Sequence, residues 1–208
     1  MNAFDLAGRL LIWTSILTLS GGVILAVWKR NFSYLSLYLL LLLMMETTGM
    51  IFTVIKGKNL FVFSLSSAIH FAFLTLFYID ALKLNLKRPV AVAIALLPFP
   101  FYFLPGLEIT SFQPWDRALL SSLLFCYSLV YFAWLIQRRV QINKPVVYLS
   151  GAVLLFFTID AFLSMGTNYL ISKVNLTVVA WFWFFRAVFL ILYYVFLIYA
   201  NQALWKKS

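Results

Sequence analysis

Residues 34–55 read YLSLYLLLLLMMETTGMIFTVI, and Glu46 is the one charged side chain among them. An α-helix crosses the hydrocarbon core of a bilayer with about 20 mostly apolar residues. A helix that is apolar on all sides must be surrounded by lipid or by other protein. This stretch therefore predicts a transmembrane helix that carries one acidic group into the membrane.

The composition of the whole chain extends that prediction. Of its 208 residues, 64% are hydrophobic and 11% are charged, and the mean hydropathy is +0.99. A soluble domain is roughly half apolar and about a quarter charged. The chain therefore belongs in lipid. The net charge is +10. In a membrane protein, basic residues usually flank the spans, where they meet anionic lipid. We therefore expect lipid, and no nucleic acid, as a partner.

The apolar stretches predict an all-α, polytopic membrane protein, a single transmembrane domain over residues 1–208. Seven stretches qualify as spans: about Leu6–Trp28, Ser33–Ile55, Leu60–Leu82, Val90–Leu107, Arg117–Ile136, Val146–Leu170 and Leu176–Asn201. The fourth is short and carries Pro98, Pro100 and Pro105, so a bent or partly interfacial helix is expected there. The N-terminus has no cationic region before its apolar run, which predicts a retained first helix rather than a cleaved signal peptide.

The distribution of Lys and Arg predicts the orientation. Ten of these residues lie after predicted helices 1, 3 and 5 and in the C-terminal tail, and five, including Arg117, lie on the other side. Arg186, inside the seventh helix, completes the sixteen. The positive-inside rule then places the C-terminus in the cytoplasm and the N-terminus outside. The expected location is the inner (cytoplasmic) membrane of the cell.

Matched spacings predict an internal repeat. A shift of 114 positions relates Tyr34-Leu35-Ser36 to Tyr148-Leu149-Ser150, Glu46 to Asp160, and Thr53 to Thr167. His70 and Arg186 each follow an asparagine by eleven residues. The interpretation is two parallel three-helix repeats, residues 1–89 and 117–208, joined by a linker helix in residues 90–116. Coincidence in a small apolar alphabet is the alternative.

Four ionisable side chains lie deep in the predicted spans, namely Glu46, His70, Asp160 and Arg186. At 1.5 Å per residue they share one layer, somewhat outside the bilayer midplane. A charge facing lipid there costs at least about 2.5–3.5 kcal/mol, so the four should face the bundle interior and pair. Asp160 with Arg186 and Glu46 with His70 are the predicted pairs.

Two interpretations of this layer stay open. In the first it lines a ligand pocket that opens to the outside, together with small, hydroxyl and aromatic neighbours. These neighbours are Thr53, Ser67, Thr167, Trp183 and Tyr193. In the second it is a buried clasp that fixes how the helices pack and binds nothing.

The residue inventory excludes several classes of site. One histidine and Cys126 are too few for a typical zinc site. Every lysine lies in a predicted loop or tail, which excludes a retinal Schiff base within the membrane. No phosphate-binding glycine loop and no Ser-His-Asp arrangement is present. We therefore predict no catalytic residue, no metal and no cofactor.

Two resemblances to known families bear on function. The predicted plan of three helices, one linker helix and three more helices resembles the SWEET-type transporters. The Pro-Gln dipeptide of that group is absent from predicted helices 1 and 5. The stretches SLYLLLLLMMETTGMIF, KNLFVFSLSSAIHFAFLTLFY and KPVVYLSGAVLLFF resemble a group of small, uncharacterised bacterial seven-helix proteins. That group is thought to act beside sensor histidine kinases, so the second resemblance implies a role in signalling.

The leading hypothesis is a non-enzymatic membrane receptor or sensor subunit. It would bind a small or lipidic ligand in the polar layer and signal through a membrane or cytoplasmic partner. A small-solute transporter built from two three-helix repeats is the first alternative. A membrane enzyme acting on lipid, with Glu46, Asp160 and His70 as acid–base groups, is the second. The oligomeric state is not predicted.

Overall fold

The structure, a computed structural model, describes residues 3–31, 33–56, 60–101, 114–138, 143–173 and 176–205. These residues are almost entirely helical and contain no strand, which confirms the predicted all-α class. The helices are α1 (Ala3–Trp28), α2 (Tyr34–Lys56), α3 (Leu60–Ala81), α4 (Arg88–Leu96), α5 (Pro98–Phe101), α6 (Pro114–Arg138), α7 (Lys144–Lys173) and α8 (Leu176–Trp205).

Five of these helices are long and apolar enough to cross a membrane, namely α1, α2, α6, α7 and α8. The apolar stretches Leu65–Ala81, in α3, and Arg88–Pro100 are shorter. Both α7 and α8 have 30 residues, longer than the predicted spans. At 1.5 Å per residue each measures about 45 Å, more than the roughly 30 Å of a hydrocarbon core.

The fourth predicted span is interrupted, as its prolines led us to expect. Helix α4 ends at Leu96, and α5 is a single turn that begins at Pro98. Proline has no backbone N–H to donate and its ring clashes with the preceding turn, so the helix breaks before it. Ala91 and Ala95 are the buried residues of α4, which packs on α3. Pro105 lies outside the described residues.

Six helices form a closed ring in the order α1, α2, α3, α6, α7 and α8, with α8 returning to α1. Helix α4 packs mainly against α3. Gly22 sets the approach of α1 to α8, because a Cβ atom added there would lie 2.6 Å from Cγ1 of Ile198. The ring encloses an aromatic core and, above it, a cavity.

The end of the bundle where α2 begins is closed by a polar cluster around Asn201, near the end of α8. The Asn201 side-chain oxygen accepts hydrogen bonds from the hydroxyl of Ser33 at 2.7 Å and from the amide of Asn31 at 3.2 Å. Its amide group donates to the hydroxyl of Ser36 at 3.1 Å. Asn31 and Asn201 are both buried. These bonds tie the α1–α2 connection to α8, and we call them the Asn201 cluster.

Candidate ligand cavity

A cavity of about 380 Å³ lies among α1, α2, α3, α6, α7 and α8. It occupies the half of the bundle in which α2 ends and α3 begins, since its lining includes Thr53 of α2 and Val62 of α3. The four predicted residues of the polar layer all line it: Glu46, His70, Asp160 and Arg186. Their convergence on one site from four helices agrees with the depth estimate made from the sequence.

Asp160 is the most heavily bonded group in the cavity. Its Oδ1 accepts from Nε of Arg186 at 2.6 Å and from Nη2 of Arg117 at 2.5 Å. Its Oδ2 accepts from Nε of Arg117 at 3.0 Å and from the hydroxyl of Ser121 at 2.7 Å. The predicted Asp160–Arg186 ion pair is therefore confirmed. One buried carboxylate neutralises two guanidinium groups in part, because the three charges sum to +1.

Arg117 is the functional residue that the sequence analysis missed. It was assigned to the outer flank of a span because it lies at the start of an apolar run. In the structure its side chain is 5% exposed and reaches from the fourth residue of α6 to Asp160. Ser121, one helical turn later, bonds the same carboxylate. That hydroxyl at the i+4 position, on the same helix face, was the available signal.

The predicted Glu46–His70 pair is not formed. Oε1 of Glu46 accepts a hydrogen bond from the hydroxyl of Tyr194, on α8, at 2.6 Å. Nδ1 of His70 is hydrogen-bonded to the hydroxyl of Tyr38, on α2. Both groups line the cavity, but equal depth in the membrane does not determine the direction in which each helix turns its side chain. Tyrosine hydroxyls from α8 and α2 bond the two groups instead.

Tyr193 lies below the cavity and does not line it. Its hydroxyl is 2.5 Å from the hydroxyl of Tyr38, which also bonds His70. The Tyr193 ring stacks on Phe156 with centroids 5.6 Å apart, and the Phe157 ring meets His70 edge-on at 5.4 Å. These five side chains form an aromatic floor beneath the cavity. The floor separates the charged groups from the rest of the core.

The smaller predicted site residues have different positions. Ser67 is buried and lines the cavity. Thr53 also lines it, although its hydroxyl donates to the backbone carbonyl of Gly49 at 2.8 Å within its own helix. The side chain of Thr167 lies outside the described residues. The spatial match between Thr53 and Thr167 therefore stays a prediction.

Arg186 uses part of its hydrogen-bonding capacity on the protein. Its Nε donates to Asp160, and its Cζ lies 5.4 Å from the ring centre of Phe156 and 5.5 Å from that of Trp183. A cation held over aromatic faces gains electrostatic attraction from the rings. Within the described part of the chain, its Nη1 and Nη2 atoms make no hydrogen bond. The predicted residue Trp183 therefore forms one wall of the site, beside a guanidinium with two available nitrogens.

The arrangement bears on acid–base chemistry and on metals. Both oxygens of Asp160 are occupied by cationic or hydroxyl donors, so this carboxylate is held as a fixed anion rather than poised to exchange a proton. No group of three His, Cys, Asp or Glu side chains that could hold a metal ion occurs among the residues described.

No protein-family model, curated protein or solved structure matches this chain.

Proposed function

We propose that this protein is a membrane receptor or sensor subunit that binds a small or lipidic ligand in the cavity and signals through a partner. The observation that carries this proposal is the cavity itself. It has about 380 Å³, within the size range of ligand pockets, and a mostly apolar lining with a few convergent polar groups. Glu46 and Arg186 turn toward it.

The cost of charge in a membrane supports a binding role. An ionisable group in the bilayer interior is unfavourable by several kcal/mol, and such groups usually mark a functional site. A structural clasp would require Asp160 and one arginine. This bundle instead brings two arginines, Asp160, Glu46 and His70 to the wall of one cavity. The groups beyond the minimal ion pair are the ones a ligand can use.

Seven membrane spans and an outward-facing cavity belong to the same proposal. Helix α3 and the interrupted α4–α5 segment would complete the bundle beside the five long helices. The ten-to-five distribution of Lys and Arg supports a cytoplasmic C-terminus. Arg117 is buried, so it is not counted among the basic residues that flank the membrane. The distribution is then ten to four. With this orientation the cavity half of the bundle faces the outside.

Helix α8 is suited to carry a structural change from the cavity to the opposite end of the bundle when a ligand binds. It provides Trp183, Arg186 and Tyr194 to the cavity, and Asn201 to the polar cluster at the opposite end. Arg186 and Asn201 are fifteen residues apart, about 22 Å along a helix. A ligand that repositions α8 would alter the bonds of the Asn201 cluster on the cytoplasmic side. A partner that contacts this end would detect the change.

The order of helices in the ring favours one alternative, a small-solute transporter built from two three-helix repeats. If α1, α2 and α3 correspond to α6, α7 and α8, each neighbouring pair in the ring has a counterpart. The α3–α6 contact, for example, corresponds to α8–α1. This correspondence supports parallel repeats related by an axis along the membrane normal. Proteoliposomes that contain only this chain should accumulate labelled small carboxylates or sugars if it is a transporter.

Occupancy of the cavity tests the receptor proposal. The protein is extracted from its host membrane in a mild non-ionic detergent and weighed by native mass spectrometry. Ala187→Phe fills the cavity, because Ala187 lines it. Ala133→Phe is the matched control, because Ala133 is exposed on α6. We expect a small-molecule adduct on the wild type and on Ala133→Phe, and none on Ala187→Phe. An adduct of equal abundance on all three proteins, or on none, would contradict the proposal.

A further inference from the structure

Two opposite charges face the cavity without bonding each other. Arg186 presents Nη1 and Nη2, and Glu46 presents Oε2, since its Oε1 accepts from Tyr194. Arg186 and Glu46 line the same cavity, yet no ion pair joins them within the described ranges. Opposite charges in a low-dielectric site normally close into contact unless something holds them apart.

Among the described residues that line the cavity, the formal charges are balanced before any ligand enters. Arg117 and Arg186 contribute two positive charges, and Asp160 and Glu46 contribute two negative charges. A simple anion would leave the cavity negative, and a simple cation would leave it positive. A zwitterion preserves neutrality, and each of its charged groups meets a side chain of opposite sign that has atoms left to bond it: Nη1 and Nη2 of Arg186, and Oε2 of Glu46.

The rest of the cavity wall indicates what the rest of the ligand is like. Trp183, Phe184, Met45, Met50 and Leu190 line the cavity, and most of its surface is apolar. Side chains of this kind favour an apolar group that removes their surface from water. The ligand chemistry therefore combines an ammonium group, an acidic group and an apolar substituent.

We infer that the cavity binds an apolar zwitterion, whose carboxylate or phosphate is held by the Nη groups of Arg186 and whose ammonium is held by Glu46. The inference rests on the proposed function, because it names the ligand class of the same cavity. Two sources share this chemistry, a free amino acid with an apolar side chain and the headgroup of an ethanolamine phospholipid. Arg117 and Asp160 position Arg186 and do not touch the ligand.

The first arm of the test uses soluble probes. The full chain is placed in nanodiscs of phosphatidylglycerol, which has no ammonium group, and binding of L-phenylalanine and L-leucine is measured by calorimetry. Phenethylamine lacks the acidic group, and 3-phenylpropanoate lacks the ammonium. Loss of one charge-assisted hydrogen bond weakens affinity roughly tenfold or more. Both analogues should therefore bind at least that much more weakly than phenylalanine.

Two single variants test which side chain binds the ammonium group of the ligand and which binds its acidic group. Glu46→Gln should weaken phenylalanine binding roughly tenfold, yet leave 3-phenylpropanoate unaffected. Arg186→Gln should weaken phenylalanine and leave phenethylamine unaffected, and Arg186→Lys should restore part of the affinity. Asp80→Asn is the control, because Asp80 is exposed at the far end of α3. Glu46→Gln keeps the test decisive if Arg186→Gln does not fold.

The second arm uses lipid. Native mass spectrometry in nanodiscs that contain phosphatidylethanolamine should show one retained lipid that both variants lose, if the lipid is the source. The inference is overturned if neither probe class binds, or if the singly charged analogues bind as tightly as phenylalanine. An adduct that fills the cavity but carries a single charge would overturn this inference alone. The receptor proposal would then stand, since Ala187→Phe still removes that adduct.

Discussion

Asp160 shows how one residue can determine whether a buried charge cluster is tolerable. Its carboxylate accepts four hydrogen bonds, three of them from Arg117 and Arg186. A buried arginine does not become neutral by losing its proton, because the guanidinium group holds that proton too strongly. Both guanidinium groups therefore share one acid, Asp160, among the residues that the structure describes.

Removal of that acid should be far more damaging than removal of an exposed one. Breaking a buried ion pair costs about 3–5 kcal/mol, so we expect Asp160→Asn to lower the free energy of unfolding by at least that amount. Adding Arg186→Gln to Asp160→Asn should recover part of the lost unfolding free energy. Adding Arg117→Gln to that double variant should recover more. The measurement is unfolding by SDS titration in mixed micelles. Asp80→Asn, at an exposed position, should change stability little, and equal effects of the two single variants would contradict this account.

At the scale of the helix, the contact between α1 and α8 depends on a missing side chain. A Cβ atom on Gly22 would lie 2.6 Å from Cγ1 and 2.7 Å from Cδ1 of Ile198, whereas one on Gly21 would meet nothing within 4 Å. Small residues let membrane helices approach closely and gain van der Waals contact. This approach closes the ring and so holds Arg186 and Tyr194 of α8 against the cavity.

The two adjacent glycines therefore form a matched pair for testing the contact. Gly21→Ala should leave the unfolding free energy unchanged or raise it by up to about 1 kcal/mol, since alanine is the better helix former. Gly22→Ala should lower it, because α1 or Ile198 must move. In an Ile198→Ala background the cost of Gly22→Ala should shrink by about 0.5–3 kcal/mol. Additive effects in this double-mutant cycle, measured by SDS unfolding, would show that the two residues do not interact.

For the whole molecule, orientation decides what the cavity can sense. A cavity that faces outward receives molecules from outside the cell, and the Asn201 cluster then meets cytoplasmic partners. The distribution of Lys and Arg is the basis of the proposed orientation. Orientation therefore links the binding proposal to the direction of signalling.

Accessibility to a membrane-impermeant maleimide tests the orientation. In a Cys126→Ala background, which removes the exposed native thiol, Lys173→Cys should be labelled in intact cells. Lys83→Cys should be labelled only after permeabilisation, and a reporter fused after Ser208 should be active in the cytoplasm. The opposite labelling pattern would invert the bundle and place the cavity on the cytoplasmic side.

Local chemistry was enough to predict where the helices lie and that four ionisable groups share one level of the bundle. The need for roughly 20 apolar residues per span located α1, α2, α3, α6, α7 and α8 to within a few residues, and proline chemistry located the break before Pro98. The fixed rise of a helix put four ionisable groups at one depth. These features depend on neighbouring residues in the chain and on the bilayer, and both can be read from sequence.

Tertiary packing decided which groups meet. Glu46 bonds Tyr194 rather than His70, His70 bonds Tyr38, and Arg117 joins Asp160 from a helix start. Depth places a group along the membrane normal, but its partner depends on the rotation of each helix and on which helices are neighbours in the ring. Both follow from contacts between residues distant in sequence, such as Gly22 with Ile198. Such contacts have no local signature, so only the folded bundle determines them.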